Sequence, residues 1–349
     1  MSQPIKPTFK LVSRGAAKRL GVLALLSAAA LLWCHCTMIR MPGKSFQRSL
    51  PPLTDSQTAL SNEVRRDVEM LGGKIGRRNI FYSSGYRAAQ QYIERELQTC
   101  GFDVRRQTFK VQGVECANVE VEIPGSGSRD EIIIIGAHYD SVDDSPAAND
   151  NASGVAATLA LARRFGSTDA APPVRTLRFV FFANEEPPCF MTRDMGSLVY
   201  ATRSKEQREN IIAMVSLETI GYFSDQPGSQ TYPIKPVGWF YPNTGNFIGF
   251  VGNYHSRSLV RAAIGTFREH AKFPSEGAAL PDWIEGVSWS DQWSFWQQGY
   301  RAIMVTDTAP FRYPWYHTEQ DTPDKLDYDR MARVVEGLQA VVDGLAHGK

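Results

Sequence analysis

Two histidines and a spread of acids carry the side chains of this sequence that are suited to chemistry. His138 and Asp140 close the run IIIIGAHYDS, and Asp150 sits between two asparagines in NDNASG. Glu185 and Glu186 follow RFVFFAN, Glu218 lies in VSLETIG, Asp291 lies in SWSDQW, and His317 lies in PWYHTEQDT. Imidazole nitrogen and carboxylate oxygen are ligands that zinc accepts, and a catalytic zinc keeps one position for water. Two zincs roughly 3.5–4 Å apart can share a bridging carboxylate and hold a hydroxide between them. Such a site needs a further carboxylate, not itself a ligand, to take the proton from water. Asp150, short and held in an Asn-flanked turn, suits a bridge. The Glu185-Glu186 pair offers a base and a ligand side by side. Asp140 suits a supporting hydrogen bond to the far nitrogen of His138 or to a nearby amide.

Taken singly, each residue has an ordinary reading. Asp150 before Ala-Ser-Gly is an expected helix cap, a Glu-Glu pair is usually solvated, and a lone histidine is usually structural. What lifts them above that is where they fall along the chain. The isoleucines 132–135 form a short apolar run of the kind buried on both faces of a parallel sheet. Further strands are expected near 103–111, 117–123, 176–183, 211–217 and 302–305. Helices are expected near 56–71, 86–99, 154–165, 197–203, 257–270 and 328–345. The alternation predicts one α/β domain, a central mixed and mostly parallel sheet with helices on both faces. His138, Asp140, Glu185, Glu186 and Glu218 follow the carboxyl ends of strands, and His317 follows the last strand after an aromatic loop. Parallel strands would bring these exits to one edge, where open α/β sheets bind ligands.

The 349 residues carry a net charge of +1, which gives no field for a nucleic-acid partner. Lys6, Lys10, Arg14, Lys18 and Arg19 precede the apolar stretch LGVLALLSAAALLW. Residues 1–41 therefore read as a basic region and a membrane segment, either an uncleaved anchor or a signal peptide. The stretch reaches the roughly 20 residues of a span only by including His35, and no small-x-small cleavage site follows it, which favours the anchor. The basic flank predicts that the remainder lies outside the cytoplasm, anchored or alternatively secreted. Residues 42–54 are Pro-rich and polar, expected as a linker to a domain over 55–349. Cys100 and Cys116 are candidates for a disulfide in such a compartment. Trp283, Trp289, Trp293 and Trp296 are expected in core packing ahead of a substrate pocket.

The series HYDS, NDNASG, NEE and HTxxDTxDKL, in that order and spacing, resembles the M28 family of zinc peptidases from about Leu53 onward. The resemblance implies a zinc-dependent peptidase on an α/β fold, in most cases an aminopeptidase, with two Zn2+ per chain and a peptide or protein substrate. It implies that His138 and Glu218 bind one zinc, that Glu186 and His317 bind the other, and that Asp150 bridges them. Glu185 would be the general base, Asp140 its supporting aspartate, and Asp291 an acid lining the site. The family usually has Asp where Glu218 stands. The link Pro187–Met195 is longer than usual and is expected over the rim of the site. Glutaminyl cyclases, which share the fold and bind a single zinc, are the alternative enzyme reading. A catalytically inactive binding ectodomain is the non-enzymatic one.

Overall fold

The computed structural model describes residues 14–167 and 172–348. Lys6 and Lys10 of the basic flank lie outside the described residues. Eight strands form one sheet: β1 (Arg105–Val111), β2 (Val114–Ile123), β3 (Glu131–His138), β4 (Thr176–Phe182), β5 (Asn210–Leu217), β6 (Ile248–Gly252), β7 (Ser275–Ala279) and β8 (Ala302–Thr306). Their order is β1-β2-β4-β3-β5-β8-β6-β7. The central block β4-β3-β5-β8 is parallel throughout, while β1, β2 and β6 enter antiparallel pairings. The expected mixed, mostly parallel sheet is therefore present, with its parallel part at the centre.

The isoleucine run explains why β3 is central. Ile133 and Ile135 face the larger core, packed with the helix Gly154–Phe165 and the helix Tyr328–His347. Ile132 and Ile134 face a smaller core with Tyr200 and Phe295 from the helices Gly196–Glu206 and Gln292–Gln297. A strand alternates its side chains between faces, so four consecutive apolar residues fill both layers. Burying each is worth roughly 1.5–3 kcal/mol.

Strands β6 and β7 escape a pattern reading. Ser275–Ala279 is SEGAA, with neither β-branched residues nor alternation, and Ile248–Gly252 holds two glycines in five positions. Their pairing with each other and of β6 with β8 supplies what their sequences lack. Cys100 and Cys116 remain free thiols, so the candidate disulfide is not formed. Of the four tryptophans expected in core packing, Trp296 packs half-buried against the smaller core, Trp289 and Trp293 are half-buried, and Trp283 is exposed.

One described helix, Gly15–Ile39, is long and apolar enough to cross a membrane, and its most apolar stretch is unburied. The segment after it lies along the domain. Met41 is buried against Ile264 and Gly277, Arg268 donates to the Pro42 carbonyl, and the Ser45 hydroxyl accepts the Ser275 amide.

Candidate active site

The four parallel strands deliver their exits side by side, in the spatial order Glu185-Glu186, His138, Glu218 and His317. His138 is the last residue of β3 and is wholly buried. Its Nε2 lies 3.3 Å from Asp150 Oδ1 and 3.1 Å from Glu218 Oε2. His317 Nε2 lies 3.0 Å from the other Asp150 oxygen, Oδ2, and 3.4 Å from Glu186 Oε1. Two three-residue groups thus share Asp150: His138, Asp150 and Glu218 form one, and Asp150, Glu186 and His317 the other. Within each group the donor atoms all lie within 4.8 Å of one another. Glu185 belongs to neither group, yet its Oε2 stands 4.0 Å from His138 Nε2.

Local structure explains how each side chain is aimed. After β4 the chain turns through Asn184, whose left-handed φ of 56° is one that Asn tolerates better than most residues. That turn points two successive amides at Asp140, whose Oδ1 accepts the Glu185 N–H and whose Oδ2 accepts the Glu186 N–H, both at 3.0 Å. Asp140 Oδ1 also lies 3.3 Å from His138 Nδ1. One carboxylate therefore fixes the Glu-Glu turn and backs the first histidine.

The two asparagines around Asp150 are the fastenings of its turn. Asn149 accepts the Gly221 amide and donates to Asp307 Oδ2. Asn151 donates to the Leu217 carbonyl and to Glu218 Oε2, and accepts the Gly154 amide. Gly154 is required by this close approach, since a Cβ there would lie 2.3 Å from both Asn151 Oδ1 and the Leu217 carbonyl oxygen. Glu218 is steadied further by the Ser290 hydroxyl, which donates to Oε2 at 2.9 Å. His317 has a left-handed φ of 57° and stacks on Tyr316 with ring centroids 3.8 Å apart.

The electrostatics are those of a site built for positive charge. Burial pushes the Glu185 and Glu186 carboxyls above their ordinary values, with neighbouring acids adding to it, and pushes Glu218 up to about 8. Burial acts upward on Asp150 too, but contacts from His138 and His317 outweigh it and hold the acid below its ordinary range. Asp291, buried beside them, is pushed up to about 7 by desolvation. Among the described residues, His138 Nε2, Asp150 Oδ1 and Glu186 Oε1 are buried without a hydrogen-bond partner. Ligand atoms gathered in two groups and left without hydrogen-bond partners fit cations, and imidazole with carboxylate is a donor set for zinc.

Several contributors carry little or no signal in the sequence. Arg78 is completely buried, and its guanidinium donates to the carbonyls of Tyr139, Leu71, Gly76, Pro146 and Ala147. It ties the loop after β3 to the Asp150 turn. Asp321 was legible as part of the His317 motif, but its job was not. Its two oxygens accept the Asn149 and Asp150 amides, and Tyr313 donates to it. Asp143 and Asp144 are exposed, as solvated loop charges are.

Beside Glu218 opens an apolar cleft. Tyr232, Val237, Tyr241, Trp289 and Phe311 line it, with Tyr316 and Thr219 at the metal-ligand side. The long link Pro187–Met195, expected over the rim of the site, does not line this cleft. It folds instead into successive turns closed by the Glu186, Cys189 and Thr192 carbonyls.

A parallel-centred α/β sheet with histidine and carboxylate clusters at its strand exits is an arrangement fit for metal-assisted hydrolysis. The model of peptidase family M28 matches residues 118–342, and the chain belongs to that family. The protein YfbL of Escherichia coli K12 is 34% identical over 289 residues, covering 80% of this chain and 87% of YfbL. Among solved structures, the zinc aminopeptidase BSAP of Bacillus subtilis superposes with a TM-score of 0.66 at 13% identity, covering 83% of this chain and 96% of that one. A glutaminyl cyclase of Fimbriiglobus ruber gives 0.59 at 20% identity, over 87% and 99%. The fold and peptidase class expected from the motifs are thereby established, and zinc is the metal the family implies.

Proposed function

We propose that this M28 peptidase is an aminopeptidase that holds two zinc ions. His138 and Glu218 would hold one, Glu186 and His317 the other, with Asp150 shared. The observation that carries this reading is the pair of ligand groups joined at Asp150, with Glu185 close by and outside both. Bound zinc supplies an acidified water and a Lewis acid for the scissile carbonyl. Glu185, its turn held by Asp140, takes the proton of the attacking water and returns it to the leaving amine. The raised affinity of Glu185 for a proton, caused by burial, suits a group that must accept one and give it up. Asp291 adds negative charge that favours a free α-ammonium, and the apolar cleft receives the side chain of the amino-terminal residue. The helix Gly15–Ile39 acts as a membrane anchor, and the basic residues before it favour a catalytic domain on the non-cytoplasmic side.

The test is mass spectrometry of a peptide mixture, some members beginning with Gln, incubated with the zinc-loaded full chain. Stepwise loss of amino-terminal residues, abolished by a chelator, is the expected result. Loss of ammonia from the Gln peptides alone would replace the peptidase reading with a cyclase. The presence of two histidines, one in each ligand group, favours the two-zinc peptidase over a single-zinc cyclase.

A further inference from the structure

We propose that the loop carrying Trp239 and Phe240, together with Tyr254, is seated in the lipid–water interface of a bilayer, so that one wall of the substrate cleft is also a membrane-contacting surface. The proposal rests on the reading of Gly15–Ile39 as a membrane span. Trp239 is 78% exposed, Phe240 53% and Tyr254 43%. Large aromatic side chains left this open on one side of a domain mark an interaction surface, and their position relative to the apolar helix says with what.

A hydrocarbon core is about 30 Å thick and takes roughly 20 helical residues. Counted from Leu20, directly after Lys18 and Arg19, twenty residues put the far boundary near Ile39, with Trp33 and His35 in the last two turns before it. That is where the domain touches the helix. The Trp33 and Tyr254 rings are 5.9 Å apart, and the His35 and Phe240 rings 5.6 Å apart. Tyr254 and Phe240 are thus fixed within two helical turns of that boundary, close to the level that Trp and Tyr favour.

The contact is not a loose one. The Arg261 guanidinium donates to the carbonyls of Cys36 and Arg40, and Met41 is buried in the domain core. The domain therefore follows the helix without a flexible spacer. Arg257 lies over the Tyr254 ring at 4.4 Å. With Arg261 it sets cationic groups where anionic headgroups are found.

The same loop reaches the cleft. Val237 and Tyr241, on either side of Trp239 and Phe240, line it, as does Tyr232. Tyr241 is held by a hydrogen bond to the Gly277 carbonyl on β7, and Tyr232 by one to the Pro242 carbonyl. Lipid contact at Trp239 and the shape of the cleft at Tyr241 are two sides of one short segment.

The experiment uses the full chain in nanodiscs whose lipids are brominated close to the headgroup, and measures quenching of tryptophan emission. Trp239→Ala and Trp33→Phe are compared with the parent chain. Trp239 is too exposed for its loss to disturb the fold, which an unchanged melting temperature would verify. The expected result is that each substitution removes a distinct part of the quenched emission, together about two of the seven tryptophans' worth. If Trp33→Phe lowers quenching and Trp239→Ala leaves it unchanged, the anchor reading stands and the interfacial loop is overturned. If neither changes it, the helix is not in the bilayer and both fall.

Discussion

Asp321 accepts the backbone amide of Asp150 at 3.1 Å, and so controls the residue on which both ligand groups depend. Its other oxygen accepts the Asn149 amide, which fixes the turn on both sides of the peptide unit. Groups that orient ligands typically matter for metal affinity by about 10–100-fold. Asp321→Asn should therefore weaken zinc binding by that order in a chelator competition, although residue 321 belongs to neither ligand group. An unchanged affinity would show that the turn holds itself.

Glu185 should separate chemistry from metal binding. It stands outside both ligand groups, and its amide, not its carboxylate, is what Asp140 holds. Glu185→Gln keeps the shape of the side chain and removes the proton acceptor. The variant should retain its full zinc content by elemental analysis and lose about 10²–10⁴-fold in kcat. Substantial turnover by a fully loaded variant would move the role of base elsewhere.

Much of this site was legible because its residues occur at strand exits. The strand Glu131–His138 announces itself through four isoleucines, and a parallel sheet brings its end beside those of β4, β5 and β8. Arg78 was not legible. Its partners are main-chain carbonyls, and a carbonyl leaves no trace in residue type. The cleft was missed for a related reason, since β6 and β7 are held by pairing with neighbours and their Gly- and Ala-rich sequences resemble loops. Asp321 lay in a recognised motif, but whether an acid binds a metal or an amide is decided by a turn 171–172 residues away, which no local pattern encodes.

Arg78 should be the most costly support to lose. Desolvation lowers its guanidinium to about 10, and the Asp321, Asp140 and Asp150 carboxylates oppose that lowering. Arg78→Met fills similar space but leaves buried carbonyls without donors, each costing about 1–3 kcal/mol when nothing replaces the bond. Denaturation in urea should show a loss of about 3 kcal/mol or more, with zinc affinity falling in parallel because the Ala147 carbonyl is released beside the Asp150 turn. A loss near zero would mean that water fills the gap.

A second buried arginine, remote from the strand exits, sets an acid limit on stability. Arg178 on β4 donates to Glu122 on β2 and to Glu209 ahead of β5. Burial acts to raise both carboxyls, but the Arg178 guanidinium outweighs it, and each ends below its ordinary 4.5. A group whose folded pKa is depressed adds stability that is fully present above its unfolded pKa and is lost as pH falls through the folded one. The Arg178 contribution should therefore be complete at neutral pH and decline from about pH 4.5 downward. Arg178→Met should be clearly less stable than the parent at pH 7, and the gap should narrow steadily as urea titrations move from pH 5 to pH 3. Parallel curves across that window would mean that packing, and not the two carboxylates, accounts for the arginine.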